Sequence, residues 1–367
     1  MRNLSLLVSF LFFINCLAAQ TPCNNETITA IKGNWKKTSD ALMVSTNQAK
    51  VIAHIDAMSE LFKTAYPEPK GIEPHWYRTM GGHPIINNGP QPYQYNSLYL
   101  PWYCNKTLNK PELNEETGTW AYIFVNGFGW FISDQYDLLL VKVNNQNVYF
   151  LPPVVDEWRG YKVYRASSHG NMGQCIILLH NGQLPWKPIT QQQYLQAVRS
   201  NWEASKRGQD SAYDRTEANM RKVISNTQNN KYLKQEDKDK IIAALQKDLD
   251  EQPKKKADGL ASSNKYWGDK FKIMDNYITQ HGSSLQDPAI LETRYASDFR
   301  GSFSTLEKGG QLLVTVNPSY FNKQLPAYAA QLIVLYWRWD KNPASMNFKK
   351  EFEANFPLEK LVAMLDK

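Results

Sequence analysis

The sequence predicts an α+β protein: an antiparallel, curved or barrel-like sheet with a helix packed on it, plus an inserted antiparallel helical hairpin or bundle. Three observations carry that expectation. Residues 24–189 are rich in aromatic residues, Gly and Pro. They break into short apolar runs about ten residues apart, the spacing of a meandering sheet. Residues 190–281 are charged, rich in Gln and Lys, and repeat their apolar residues at steps of three and four. Residues 282–367 return to the aromatic texture, which predicts that the last strands rejoin the first sheet.

The first element in chain order is a helix. Ser45 and Gln48 stand as a capping box, each side chain placed to satisfy a free amide at a helix start. Val51, Ile55, Met58, Phe62 and Tyr66 then form one apolar face, and Pro67 and Pro69 end the helix. Strands are expected next at 75–79, 95–100, 119–125, 128–133, 138–143, 148–151, 161–165 and 174–180. Asn126-Gly127 and Asn181-Gly182 read as tight turns, because both residue types tolerate positive φ.

Thr190 and Gln193 make a second capping box, with Ile189 placed to pack on Tyr194. From there Leu195, Val198, Trp202, Ser205, Gln209, Ala212, Thr216, Met220 and Val223 mark a coiled-coil-like seam with a polar middle, at the point where Gly208 weakens the helix. Pro253 divides the remainder of this region into a second helix carrying Ile242, Leu245 and Leu249 and a third carrying Leu260, Trp267, Phe271, Met274 and Ile278. Beyond them, 311–316 and 331–339 read as strands and 348–355 and 357–365 as helices. Phe352, Phe356, Leu358, Leu361 and Leu365 are the core candidates there.

The chain opens differently. Arg2 supplies one positive charge, Leu4 to Ile14 form an apolar run interrupted by Ser5 and Ser9, and small residues come after it at Ala18 and Ala19. That is the pattern of a cleavable signal peptide, and the run is shorter than the roughly 20 apolar residues of a membrane span. Residues 1–19 are therefore expected to be removed after Ala18 or Ala19. The mature chain, without a transmembrane segment, is expected to be secreted or to reside in the periplasm or cell envelope. The expected domain boundaries are 1–19, 20–189, 190–281 and 282–367.

The formal charge is +7, and loss of Arg2 leaves +6, with both signs interspersed. That modest excess does not point to nucleic acid. An oxidising compartment gives the cysteines meaning. Cys175 lies inside the apolar run Cys-Ile-Ile-Leu-Leu and is expected to be buried and free. Cys23 and Cys104 occupy polar segments and are the disulfide candidates, although spacing alone does not fix connectivity.

Chemistry-bearing motifs are absent from the sequence. There is no His-Glu-x-x-His, no Gly-x-Ser-x-Gly, no phosphate-binding glycine loop and no dinucleotide fingerprint. No catalytic residue is assigned, and neither a cofactor nor a metal is expected. His75 and His83 flank a turn but lack a third ligand. Cys175 and His180 are five apart on one expected strand and so face opposite sides. Ser167-Ser168-His169-Gly170 reads as a loop, and Lys254-Lys255-Lys256 as a solvated turn after Pro253. Asp156-Glu157, Glu115-Glu116 and Asp298 near Glu292 are carboxylate pairs, but a glycosidase needs two carboxylates related in space.

The feature that stands out is eleven Trp and twenty Tyr. Trp76, Trp102, Trp120, Trp130, Trp158 and Trp186 all fall in the sheet region, where large rings fill a core. Trp102, between Pro101 and Tyr103 near a strand end, is the ring expected to be exposed. The sequence thus favours a non-catalytic binding or structural module that holds a glycan or an envelope protein through the sheet, with the helices as a spacer. The alternative is a secreted hydrolase whose acid and base come from different strands, with the helical insertion as a lid.

Segments 118–126 (GTWAYIFVN), 181–190 (NGQLPWKPIT) and 331–339 (QLIVLYWRW) carry a resemblance. Through them the chain resembles uncharacterised secreted proteins of Bacteroidota bacteria over most of its mature length. The resemblance implies a bacterial envelope location and carries no activity.

Overall fold

The computed structural model describes residues 23–42, 47–81, 85–86, 88–128, 137–166, 172–180, 182–292 and 298–367. The expected signal peptide, Ser45 of the first capping box, His83, Trp130, the loop 167–170 and all but Phe128 of the strand at 128–133 lie outside them. The chain is α+β, with a curled antiparallel half-barrel among its sheets and two long helices packed together. It divides into two compact units, one of residues 1–135, 152–185 and 317–367, the other of residues 136–151 and 186–316.

In chain order, the first unit runs α1 (Asn25–Ala30), β1 (Lys36–Lys37), β2 (Ala41–Leu42), α2 (Gln48–Ala65), β3 (Ile72–Met80), β4 (Tyr93–Asn105), β5 (Lys110–Leu113) and β6 (Trp120–Val125). It resumes with β9 (Val154–Trp158), β10 (Tyr161–Arg165) and β11 (Met172–Leu179), then β15 (Leu332–Trp339), α5 (Pro343–Asn355) and α6 (Leu358–Val362). Its ten strands form one sheet in the order β1-β3-β4-β6-β15-β11-β10-β9, with β2 also on β3 and β5 also on β4. All pairings are antiparallel except those of the two-residue β1 and β2, which run parallel to β3.

Period-two alternation explains how one face of this sheet became the core. Trp76 and Met80 on β3, Tyr93, Tyr95 and Tyr99 on β4, Ile123 and Val125 on β6, and Leu335 and Trp337 on β15 all point to the same side and are buried. The helices α2 and α5 cover them. Phe62 of α2 stacks on Tyr95 and on Phe352 of α5, with ring centroids 4.7 and 5.5 Å apart. The apolar face read from Val51, Ile55, Met58 and Phe62 is fully buried here. At the start of the unit, Thr27 N donates to Asn24 Oδ1 and Asn24 N to Thr27 Oγ1, a capping box that sequence reasoning did not single out. Beside it, Cys23 is bonded to Cys104 of β4 across 81 residues. Closing a loop of that length stabilises the fold by about 4 kcal/mol.

The second unit contains β7 (Asp137–Val143), β8 (Gln146–Phe150), β12 (Trp186–Pro188), α3 (Gln191–Gln228), α4 (Gln235–Gln280), β13 (Ile290–Leu291) and β14 (Gln311–Val316). Its five strands make a separate antiparallel sheet in the order β12-β14-β8-β7, with β13 also on β14. This departs from the expectation of a single sheet. The strands at 137–143 and 146–150 leave the large sheet, and the expected return of 282–367 is divided: β14 pairs with β8, while β15 enters the large sheet between β6 and β11. Alternation identifies strands but not their partners, so the sequence pattern merged two sheets. The β7–β8 turn uses Asn144 and Asn145 at φ of 52° and 61°, and the β9–β10 turn uses Arg159 and Gly160 at 52° and 82°. Two consecutive residues of positive φ match the right-handed twist of a hairpin.

The helical segment is a hairpin of two helices, not three. The capping box at its start has Gln193 N donating to Thr190 Oγ1 and Thr190 N to Gln193 Oε1. Pro253 lies inside α4 and does not end it. Proline removes one ladder hydrogen bond, and here it sits on the exposed side while Leu249 and Gln252 pack inward beside it. Lys255 and Lys256 therefore belong to a helix, paired with Glu251 and Asp214, and are not a turn. The seam on α3 also moves. Leu195, Val198 and Trp202 are buried, but the inward positions then run Lys206, Asp210, Tyr213, Glu217 and Met220, and Ser205, Gln209, Thr216 and Val223 are exposed. Consecutive steps of four across Gly208 shift the seam by one residue, as a stutter does. Trp202 and Trp267 close the packed base of the hairpin over the small sheet, together with Val148, Phe150, Leu313, Met274 and Tyr277.

Candidate functional site

The second face of the large sheet differs in kind from the one under α2 and α5. Strand register places its side chains in three adjacent rows. The middle row is Tyr77, Asn96, Tyr122, Tyr336, Cys175 and Tyr164, each directly opposite the next. On one side lie His75, Leu98, Trp120, Arg338 and Gly173, and on the other Thr79, Gln94, Phe124, Val334 and Ile177. Residues of six strands are thus brought onto one surface.

Burial grades across this surface. Asn96, Tyr122, Tyr336 and Cys175 form a buried floor, and Tyr164, Phe124, Val334 and Ile177 are buried as well. His75, Tyr77, Thr79, Gln94, Leu98, Trp120 and Arg338 are half-buried around it. The floor is ordered by an amide chain in which Gln94 Nε2 donates to Asn96 Oδ1 at 2.9 Å and Asn96 Nδ2 donates to Thr79 Oγ1 at 3.0 Å. Tyr122 stacks against Trp120 at 6.1 Å and against Tyr336 at 5.8 Å. Burial pushes the hydroxyls of Tyr77, Tyr122, Tyr164 and Tyr336 above the ordinary tyrosine range, and it does the same to the Cys175 thiol. These groups are therefore protonated donors, not nucleophiles.

Trp120 and Arg338 are held from behind. Trp120 Nε1 donates to the Thr117 carbonyl at 2.8 Å, and Thr117 Oγ1 donates to the Tyr99 carbonyl at 2.6 Å. Asp340, two residues past Arg338, accepts from Gly118 N at 2.8 Å and donates its own N–H to Thr119 Oγ1 at 3.1 Å. A Cβ on Gly118 would come within 2.1 Å of Asp340 Oδ1, so a larger residue there would push the carboxylate off its hydrogen bond to Gly118 N. The guanidinium of Arg338 lies over the Trp120 ring, 4.7 Å from its centroid. That geometry leaves the N–H edge of the guanidinium available for hydrogen bonds in its own plane.

Glu73 is the only carboxylate in β3, β4, β6, β10, β11 and β15. It is buried, and it accepts from Lys36 Nζ at 2.6 Å and His75 Nε2 at 3.0 Å. Burial works to raise its pKa, but the hydrogen bonds from Lys36 and His75 outweigh it and hold the carboxyl below its usual range. An ionised, doubly paired carboxylate is a poor proton donor.

The residues singled out from sequence fall elsewhere. Trp102 is not the exposed ring. It is half-buried on β4 opposite Leu113 of β5, and its neighbour Tyr103 is exposed instead, at 43%. The alternation of β4 puts one of each adjacent pair outward, and Pro101 does not reset that order. Cys23 and Cys104 are joined, and Cys175 is free and buried. Neither Trp102 nor the disulfide belongs to the three rows. His180 lies beyond the end of β11, its Nδ1 2.6 Å from Asp366 Oδ1. Asp156 and Glu157 are exposed on the edge strand β9, and Asp298 is paired with Lys270. The residues that sequence reasoning missed are Tyr77, Asn96, Tyr122, Tyr336 and Arg338. Their signal was present in the alternation Trp-Ala-Tyr-Ile-Phe-Val of 120–125, which sorts every aromatic ring to one face.

Among the described residues, no group of three His, Cys, Asp or Glu is placed to hold a metal ion, and no helix is long and apolar enough to cross a membrane. No family model, curated protein or solved structure matches the chain.

Proposed function

We propose that the protein is an exported binding module that holds a glycan on the polar and aromatic face of its large sheet. The observation that carries this reading is the half-buried ring of Tyr77, Gln94, Trp120 and Arg338 around an ordered floor of amide and tyrosine groups. Sugars present both apolar ring faces and hydroxyls, and they are matched by aromatic surface flanked by fixed donors and acceptors. Binding is favoured over hydrolysis because the one carboxylate of these six strands is committed to Lys36 and His75, whereas glycoside hydrolysis uses two. Export is supported by the pattern of residues 1–19, by the resemblance to secreted Bacteroidota proteins, and by the Cys23–Cys104 bond, which belongs to an oxidising compartment.

Two experiments test the two halves. N-terminal sequencing of protein recovered from the envelope or medium is expected to begin near Ala19 or Gln20, and an intact Met1 contradicts export. Affinity electrophoresis of the mature chain through gels containing a panel of polysaccharides is expected to show retardation by at least one. Trp120→Ala is expected to weaken that binding by about 2 kcal/mol, roughly thirtyfold. Migration unaffected by every polysaccharide, or equal retardation of the variant, overturns the reading.

A further inference from the structure

Resting on the glycan reading, we propose that the ligand is acidic, an oligosaccharide carrying uronic-acid carboxylates, and that Arg338 is the residue that selects it. Arg338 is half-buried, and among the described residues no carboxylate forms an ion pair with it. Most other charged groups of the large-sheet unit at comparable depth are paired: Arg78 with Asp40 and Asp56, Glu73 with Lys36 and His75, Lys349 with Glu353. A partly desolvated cation kept without a counter-ion costs stability, which marks it as a site for an anion supplied from outside.

Its placement says which kind of anion. The guanidinium lies over the Trp120 ring, which limits where it can point, with Gly173 adding no side chain at the next place in the row. A planar fork of N–H donors held this way matches the two oxygens of a carboxylate. Phosphate and sulfate are also met by arginine, but the surrounding groups favour a carboxylate on a sugar. Leu98 and Trp120 offer apolar surface beside the fork, and Gln94, Thr79 and Tyr77 offer neutral hydrogen-bonding groups two and three strands away. From β15 to β3 is three strand spacings, about 14 Å along the sheet, enough for several linked sugar rings. The only acid on these strands, Glu73, lies on β3 at the far side of that span and is neutralised locally by Lys36 and His75, so it does not repel an anion at Arg338.

The test uses a matched pair of ligands that differ in the carboxylate alone: oligogalacturonate and the same oligomer after carboxyl reduction. Isothermal titration of the mature wild-type chain is expected to show the acidic form binding about tenfold more tightly or better, the worth of one charge-assisted contact. The preference is expected to shrink as salt is raised. Arg338→Gln is expected to erase the difference between the two forms. If wild-type protein binds both forms equally, or prefers the reduced one, the acidic assignment is wrong while the glycan reading stands. If it binds neither form but a neutral polysaccharide from the wider panel, the same conclusion holds. If it binds no glycan of either class, both readings fall. A preference that survives Arg338→Gln assigns the selection to another cation and also overturns the proposal.

Discussion

Two rows of the large sheet, one residue apart along the same strands, have opposite characters. Trp76, Ser97, Ala121 and Trp337 face the helices, while Tyr77, Asn96, Tyr122 and Tyr336 face the other way. On the first side two large rings flank two small residues, and Phe62, Phe348 and Phe352 pack in from α2 and α5. On the second side the rings carry hydroxyls, sit beside amides and a guanidinium, and become half-exposed toward Trp120 and Tyr77. One face is packed under α2 and α5 and the other sets polar atoms among its rings, although both are rich in aromatic residues. Aromatic content by itself therefore says little; what distinguishes a core from a surface for a ligand is the polar atom that each ring carries and what it meets.

The contrast makes its strongest claim at Phe352, which is fully buried between Phe62, Trp337 and Phe356. Phe352→Ala is expected to lower unfolding stability by about 3–5 kcal/mol in chemical denaturation, since it removes a large ring from a dry, interleaved site. Ligand affinity at a temperature where the variant is folded is expected to be unchanged. A loss of affinity in folded protein would show that the two faces are not separable. Gly118→Ala sharpens the comparison from the other direction. It sets a methyl group against Asp340, and overpacking there is expected to cost about 1–3 kcal/mol while weakening binding through displacement of Trp120.

The helical unit repeats the contrast along its length. The base of the hairpin is packed, with Tyr194, Leu195, Val198, Trp202, Trp267, Met274 and Tyr277 all in the core of the small sheet. Beyond Asp210 and Ser263, joined by a hydrogen bond of 2.8 Å, the two helices bury only Thr227, Leu249 and Gln252. Replacing residues 211–262 with a short Gly/Ser loop is expected to change the stability of this unit by less than about 1 kcal/mol, because isolated helix pairs with so thin a seam open easily. Removal of 191–280 as a whole is expected to unfold the small sheet, and circular dichroism of the two deletions distinguishes them.

The smallest effect concerns pH. His54 of α2 lies 2.8 Å from the Tyr93 hydroxyl, which spends its one proton on the Tyr328 carbonyl, so the neutral imidazole donates through Nδ1–H to the hydroxyl oxygen. Burial, followed by the nearby Lys50, lowers the His54 pKa from its ordinary 6.5. The unfolded chain then takes up a proton at a higher pH than the folded one. The contribution of His54 is complete above about pH 6.5 and is lost as the pH falls from there toward the lower folded value. His54→Gln is expected to flatten the stability profile in that window, and an unaltered slope would place the titrating group elsewhere.

How much of this was legible depends on where each signal resides. The helix α2, the capping box at Thr190 and the strands β10 and β14 are set by local periodicity and cap chemistry, and sequence reasoning places them within a few residues. The short or edge strands β1, β2, β5 and β9 escape it: the first three hold only two to four residues, and β9 is exposed on both faces and so shows no alternation. Pro253 misleads because its cost is real but local, and the packing of α3 on α4 outweighs it. The site itself is hidden. Tyr77, Asn96, Tyr122 and Tyr336 become neighbours only through the pairing of four strands, one of which arrives from the far end of the chain. Sorting each strand by alternation finds the aromatic face but not the order of its strands.

The most direct test of the account is residue-resolved footprinting. Hydroxyl-radical oxidation of the protein, read by mass spectrometry with and without a bound oligosaccharide, reports on Tyr77 and Trp120 of the polar and aromatic face, Trp158 of the face under α2 and α5, and Tyr103 and Tyr232 elsewhere on the surface. Ligand is expected to protect Tyr77 and Trp120 several-fold and to leave Trp158, Tyr103 and Tyr232 unchanged. Protection centred on Tyr103, Trp158 or Tyr232, with Tyr77 and Trp120 unaffected, would contradict the assignment of the polar and aromatic face as the binding surface.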